Sequence, residues 1–125
     1  MGKPNAHAKC CVKNDWGAEI TNINVTHRYD NDHTDSKHYD RIEQGATSDT
    51  FNIGYWTGTF RSGKDYWYIE FTDSTGTTWN CKSNFYCYLT DADKGKTITL
   101  VITNHNMEVD CPDSSDCNVS LHQKS

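Results

Sequence analysis

The side chains able to do chemistry in this 125-residue chain are six Cys, six His and seventeen Asp or Glu. Their spacing does not single out a catalytic centre. The nucleophile elbow GxSxG, the phosphate-binding P-loop and the zinc motif HExxH are absent from the sequence. No CxxC or Cys/His pair has tetrahedral zinc spacing. The acidic stretch Asp30-Asn31-Asp32-His33-Thr34-Asp35-Ser36 invites a calcium reading. Asp35 stands where an EF-hand requires Gly, however, and Arg41 where it requires the bidentate Glu. A calcium loop of another type stays open beside a solvated hairpin loop. The expectation is a chain without cofactor or metal, and not an enzyme.

Binding chemistry is better supplied. Of the fifteen Phe, Trp and Tyr residues, twelve lie between Phe51 and Tyr88. Tyr55, Trp56, Phe60, Tyr66 and Tyr68 are close in sequence, and several are expected outward or in loops. A Tyr or Trp there offers an apolar body with a polar tip. Such side chains suit a membrane interface, a sugar ring or a choline-like cation. The candidate ligand-binding set is Trp56, Phe60, Arg61, Lys64, Tyr66 and Tyr68, with Arg61 and Lys64 as partners for a phosphate or sulfate. The same aromatics could instead fill a core or a dimer seam, and Trp67 and Trp79 are assigned to the core.

The elements that must position these groups read as short strands. Tyr66 to Leu89 forms a β-hairpin in which Trp67, Ile69 and Phe71 share one face and Tyr66, Tyr68, Glu70 and Thr72 the other. Ser74-Thr75-Gly76 is its loop, with Gly at the position needing φ > 0. That register pairs Phe71 with Trp79 and Ile69 with Cys81, and sets Tyr68 opposite Lys82 and Glu70 opposite Asn80. Other strands are expected over Ala8 to Lys13, Glu19 to Tyr29, Lys37 to Glu43, Ser48 to Trp56 and Thr97 to Thr103. In the second of these His27 falls on the apolar side, as a hydrogen-bonded core residue. In Lys37 to Glu43 either His38, Asp40 and Ile42 or Tyr39, Arg41 and Glu43 face inward. Thr90-Asp91-Ala92-Asp93 reads as a capping box opening one helical turn that ends at Gly95.

The expected fold is therefore all-β, a single-domain antiparallel β-sandwich of about seven or eight strands with one short helical turn near 90–95. Residues 1–105 make the domain, and 106–125 are read as a polar, Cys-containing, loosely held C-terminal tail. The net charge of −5 argues against nucleic acid as a partner. The start of the chain has no apolar core of a signal peptide. A cytoplasmic protein, unconventional export, or an extracellular chain to which Met1 was added are all consistent with this. Asn24-Val25-Thr26 and Asn118-Val119-Ser120 are glycosylation sequons that matter only if the chain is secreted. The even Cys count suits disulfides, yet Cys10 and Cys81 fall on inward faces, as core thiols would. Cys81, Cys87, Cys111 and Cys117 are the disulfide candidates, a local Cys111–Cys117 bridge among them.

Several segments resemble one family. They are Asn22 to Tyr29, Ile42 to Gly45, Asp65 to Trp67, Phe71 to Asp73, Trp79 to Cys87 and Leu89-Thr90. Together they resemble the PUD family, small proteins described as up-regulated in long-lived insulin-signalling mutants of a nematode, with fungal relatives. The likeness covers roughly residues 8 to 103. It implies an antiparallel β-sandwich, homo- or hetero-dimerisation, and a fold similar to aegerolysins, fungal proteins that bind sphingolipid-containing membranes and help partner proteins form pores. The family has no established activity, so the resemblance transfers no site. The Cys10-Cys11 doublet and the tail after Asn106 stand outside its pattern. The expectation is a non-enzymatic protein that recognises a membrane lipid head group or a glycan through aromatic-rich loops. The alternative is an intracellular stress or interaction protein acting through a dimer interface, and behind it a hydrolase or metal-dependent enzyme.

Overall fold

The computed structural model describes residues 4–58 and 64–124. Phe60 and Arg61 lie outside the described residues. The strands are β1 (Ala6–Asn14), β2 (Ile20–Arg28), β3 (Thr34–Ile42), β4 (Phe51–Tyr55), β5 (Tyr66–Thr72), β6 (Thr78–Asn80), β7 (Thr97–Thr103), β8 (Asn106–Asp110), β9 (Cys117–Ser120) and β10 (His122–Gln123), with a 3-10 turn over Asp91–Asp93. They form a β-sandwich of two five-stranded sheets. One sheet has the order β4-β1-β7-β8-β9 and the other β10-β6-β5-β2-β3. All pairings are antiparallel except β1 with β7, which run parallel and set Cys10 beside Ile98 and Val12 beside Leu100.

Alternation along the strands builds the core. Trp67, Ile69 and Phe71 of β5, Ile23, Val25 and His27 of β2, and Ile98, Leu100 and Ile102 of β7 are all buried. Trp79 opposes Phe71 and Asn80 opposes Glu70, as the hairpin reading requires. Gly76 has φ 90, and the loop is held by Asp73, whose carboxylate accepts bonds from the Thr75 and Thr77 N–H groups and from the Trp79 indole at 2.8 Å. Partial burial works against that charge, but these bonds bring the Asp73 carboxyl down to about 2. The strand ends at Asn80, so the expected partners Ile69–Cys81 and Tyr68–Lys82 are not part of the ladder.

In β3 one residue from each expected set turns inward. Ile42 is buried and Tyr39 packs on the core, while His38 and Asp40 are exposed. The two faces exchange where the β2–β3 ladder skips Asn22, whose φ is 50. At the other end of the sandwich the Thr90–Asp93 box forms, with the Thr90 N–H donating to Asp93 at 2.9 Å.

The reading of 106–125 as a loose tail is corrected. Residues Asn106 to Gln123 contribute β8, β9 and β10, and bury Met107, Val109, Val119 and Leu121. The buried Asp93 carboxylate also accepts the Asp113 and Ser114 N–H groups, so the linking loop is tied down too.

Asn14, the last residue of β1, carries a structural role of its own. It is fully buried, donates through Nδ2 to the Ala18 and Ile42 carbonyls at 2.8 and 2.9 Å, and accepts from the Trp16 N–H at 2.9 Å. It thereby closes the β1–β2 turn onto the end of β3. Asn14→Ala would leave these backbone groups without partners, and we expect a loss of about 2–4 kcal/mol of unfolding free energy in a denaturant titration. A change below about 0.5 kcal/mol, the ordinary range for a surface position, would contradict this role.

Candidate functional site

The outer face of the second sheet follows from the inner one. Because Trp67 and Ile69 point in, Tyr66 and Tyr68 point out, and beside them on β2 stand Thr26 and Arg28. These four and Ser83 line a shallow cavity of about 290 Å³. The Arg28 guanidinium lies over the Tyr66 ring, 4.1 Å from its centroid. Tyr68 is fixed by its hydroxyl, which donates to Glu70 Oε1 at 2.9 Å and accepts from Asn80 Nδ2 at 3.0 Å. Lys124 pairs with the same Glu70 oxygen at 3.1 Å and lowers the Glu70 carboxyl below its usual range.

Residues 85–89 extend this face. Phe85, Cys87 and Leu89 are buried, whereas Tyr86 and Tyr88, 44% and 47% exposed, are the large hydrophobic side chains that face solvent among the described residues. Tyr86 bridges to Tyr66 across the strands, and the Trp67 N–H and Cys87 N–H donate to the Phe85 and Asp65 carbonyls. The Tyr66 and Tyr86 rings meet edge to face at 6.2 Å, Tyr86 and Tyr88 at 5.4 Å, and Lys64 Nζ lies 4.3 Å from the Tyr86 centroid.

The structure thus brings together Lys64, Tyr66 and Tyr68 from the predicted set and adds Arg28, Tyr86 and Tyr88, which the sequence reading missed. The signal for the two tyrosines was present as the alternation in Phe85-Tyr86-Cys87-Tyr88-Leu89. Trp56 belongs to a different cluster. It is half-buried, its indole donates to Asp30 at 2.7 Å, and its ring meets Tyr29 and His33 edge-on. Asp30 also accepts from the Asp32 N–H and contacts His33. These bonds overcome partial burial and bring its carboxyl down to about 2.

His27 underlies both clusters. It is fully buried, with Nε2 2.8 Å from Asp65 and Nδ1 3.3 Å from Asp35. An ionised carboxylate can only accept, so both ring nitrogens must donate and the ring is an imidazolium. Burial pushes its pKa down, but the hydrogen bonds that the ring donates to Asp35 and Asp65 outweigh this and hold it above the ordinary value of 6.5. Tyr29 and Trp67 flank the ring at 5.6 and 4.4 Å.

Cys87 is bonded to Cys117, which ties the segment bearing Tyr86 and Tyr88 to β9 of the other sheet. The expected local Cys111–Cys117 bridge does not form. Cys111 and Cys81, also candidates, are free and buried, as are Cys10 and Cys11.

A family model described as up-regulated in long-lived daf-2 matches residues 4–109. The chain belongs to this PUD family. The match ends within β8, so Cys117 and the last two strands lie beyond it. No curated protein matches the chain.

Two tests follow from this geometry. The raised folded pKa of His27 means that the native state binds an extra proton between pH 6.5 and that value. Its stabilisation is full below 6.5 and is lost as pH rises through the folded pKa. We expect unfolding free energy to fall over that window in the wild type, and His27→Gln both to abolish that component of the slope and to cost about 3 kcal/mol or more. Equal slopes in the two proteins would contradict the imidazolium assignment. Replacing Cys87 and Cys117 by Ser opens a loop with a sequence separation of 30. That should cost about 3–4 kcal/mol by loop entropy. Hydrogen exchange should rise in residues 85–89, and unchanged protection there would show that the bridge does not hold the segment.

Proposed function

We propose that this chain is a non-enzymatic binding protein that takes a polar head group, from a membrane lipid or a glycan, on the outer face of its second sheet. The observation that carries this reading is the convergence of Arg28, Tyr66 and Tyr68 on one shallow cavity, with Tyr86 edge-on to Tyr66 and Lys64 over the Tyr86 ring beside it. Tyr68 is pre-positioned by two hydrogen bonds and Tyr66 by its cation, so ligand binding would cost little ordering of these side chains. The cavity volume, about 290 Å³, suits one head group rather than a chain of them. A sphingolipid-containing membrane, the target of aegerolysins, is one surface that presents such groups.

The aromatic contribution is therefore assigned to a sheet face rather than to the loop at Trp56. Co-sedimentation with liposomes of varied head group, together with binding to a panel of glycans, tests it. Tyr66→Ala with Tyr68→Ala should weaken binding about tenfold or more, each aromatic contact contributing on the order of 1 kcal/mol. Trp56→Ala should lower stability and leave affinity within about twofold, since that indole serves Asp30. The opposite pattern, loss with Trp56→Ala alone, would move the site to the other cluster.

A further inference from the structure

We infer that Arg28 and Lys64 form an oxyanion subsite, and that the bound head group carries a phosphate or sulfate. This rests on the binding role proposed above and specifies the charge of the ligand.

Both cations sit on aromatic rings, at 4.1 and 4.3 Å, and among the described residues neither has a carboxylate within ion-pair distance. That is notable in a chain where seventeen acids face twelve cations. The acid on the same strand face, Glu70, is already paired with Lys124 and hydrogen-bonded by Tyr68. The rings beneath the two cations are themselves in edge contact, which places the cations on adjoining supports. A guanidinium seated over a ring face keeps in-plane N–H groups available for two oxygens of one anion.

The cavity lining points the same way. Thr26, Tyr66 and Ser83 bring hydroxyls that can donate to anionic oxygens, the Tyr68 hydroxyl proton being held by Glu70, and none of the five lining residues is acidic. A neutral sugar would instead call for carboxylate or amide acceptors of its hydroxyl protons. Exposed Tyr86 and Tyr88 beside Lys64 match the tyrosine-and-cation pairing that suits the head-group layer of an anionic membrane.

The test uses the full chain in three arms: vesicles of phosphatidylcholine alone, the same vesicles with phosphatidylserine, and soluble heparin. Wild-type protein, R28Q/K64Q, R28K/K64R and Y66A/Y68A are compared at low and physiological salt, after circular dichroism confirms that each is folded. The expected result is binding to the anionic vesicles, weakened by salt, reduced about tenfold or more in R28Q/K64Q and reduced less in R28K/K64R, which keeps both charges but loses the bidentate fork of Arg28. Binding to heparin in place of vesicles, with the same dependence on Arg28 and Lys64, supports the subsite and assigns the anion to a sulfated glycan. Binding that R28Q/K64Q leaves unchanged overturns the subsite, whether to anionic vesicles or to phosphatidylcholine alone, whose head group also carries a phosphate. If Y66A/Y68A still abolishes that binding, the head-group role survives without it. Absence of binding in every arm removes both.

Discussion

A buried imidazolium between two carboxylates is the interaction on which the arrangement of this protein depends. Taking a charge out of water is costly unless it is paired and its partners are themselves hydrogen-bonded. Here the partners are. Asp65 accepts the Leu89 N–H at 3.0 Å, and Asp35 accepts the Gly54 N–H at 2.9 Å. The cluster therefore reaches β2 through His27, β3 through Asp35, the entry to β5 through Asp65, the other sheet through Gly54, and the Tyr86–Tyr88 segment through Leu89. Gly54 has to be Gly for space rather than for φ, because a Cβ there would lie 2.5 Å from the Pro4 ring and 3.3 Å from the Tyr29 hydroxyl. Side chains around it would have to give way before the Asp35 bond could be kept.

The aromatic face is a consequence of this cluster as much as of the sheet. Asp65 turns inward to meet His27, so Tyr66 must turn outward, and its cross-strand neighbour Tyr86 follows. The Asp65 carbonyl accepts the Cys87 N–H at 2.9 Å, which sets residues 85–89 alongside β5 in a fixed register. A shift of one residue would bury Tyr86 and Tyr88 and expose Phe85, Cys87 and Leu89. The positions of the exposed rings are thus determined from the inside of the sandwich.

Much of the sandwich was legible in the chain because alternation is a local signal. The central hairpin, its Gly76 turn, the inward row Ile98, Leu100 and Ile102, the capping box and the core placement of His27 could all be read from spacing. Other features needed the third dimension. The Cys87–Cys117 pairing and the parallel β1–β7 contact join residues far apart in sequence, and no local pattern specifies either. The last three strands were obscured by composition. Their outward residues are so polar that the short alternations Met107, Val109 and Val119, Leu121 read as a tail. The aromatic face was half legible: Tyr66 and Tyr68 follow from alternation, whereas Arg28 joins them only through the pairing of β2 with β5. Trp56 was drawn into the predicted set by its neighbours in sequence, but its indole answers to Asp30.

The family match covers the sandwich up to β8 and stops short of Cys117. The His27 cluster and both arms of the central hairpin lie inside the matched region, so the outward rows Tyr66–Tyr68 and Tyr86–Tyr88 are built by it. The covalent tie on the second row is supplied from outside it. Position and rigidity of the aromatic face therefore have separate physical origins. Register and the buried charge cluster place the rings, and the disulfide limits how far residues 85–89 can depart from that placement. Losing the bridge would leave the register intact while widening the range of Tyr86 and Tyr88. The cation over Tyr66, on the strand side, would be affected less than the one over Tyr86.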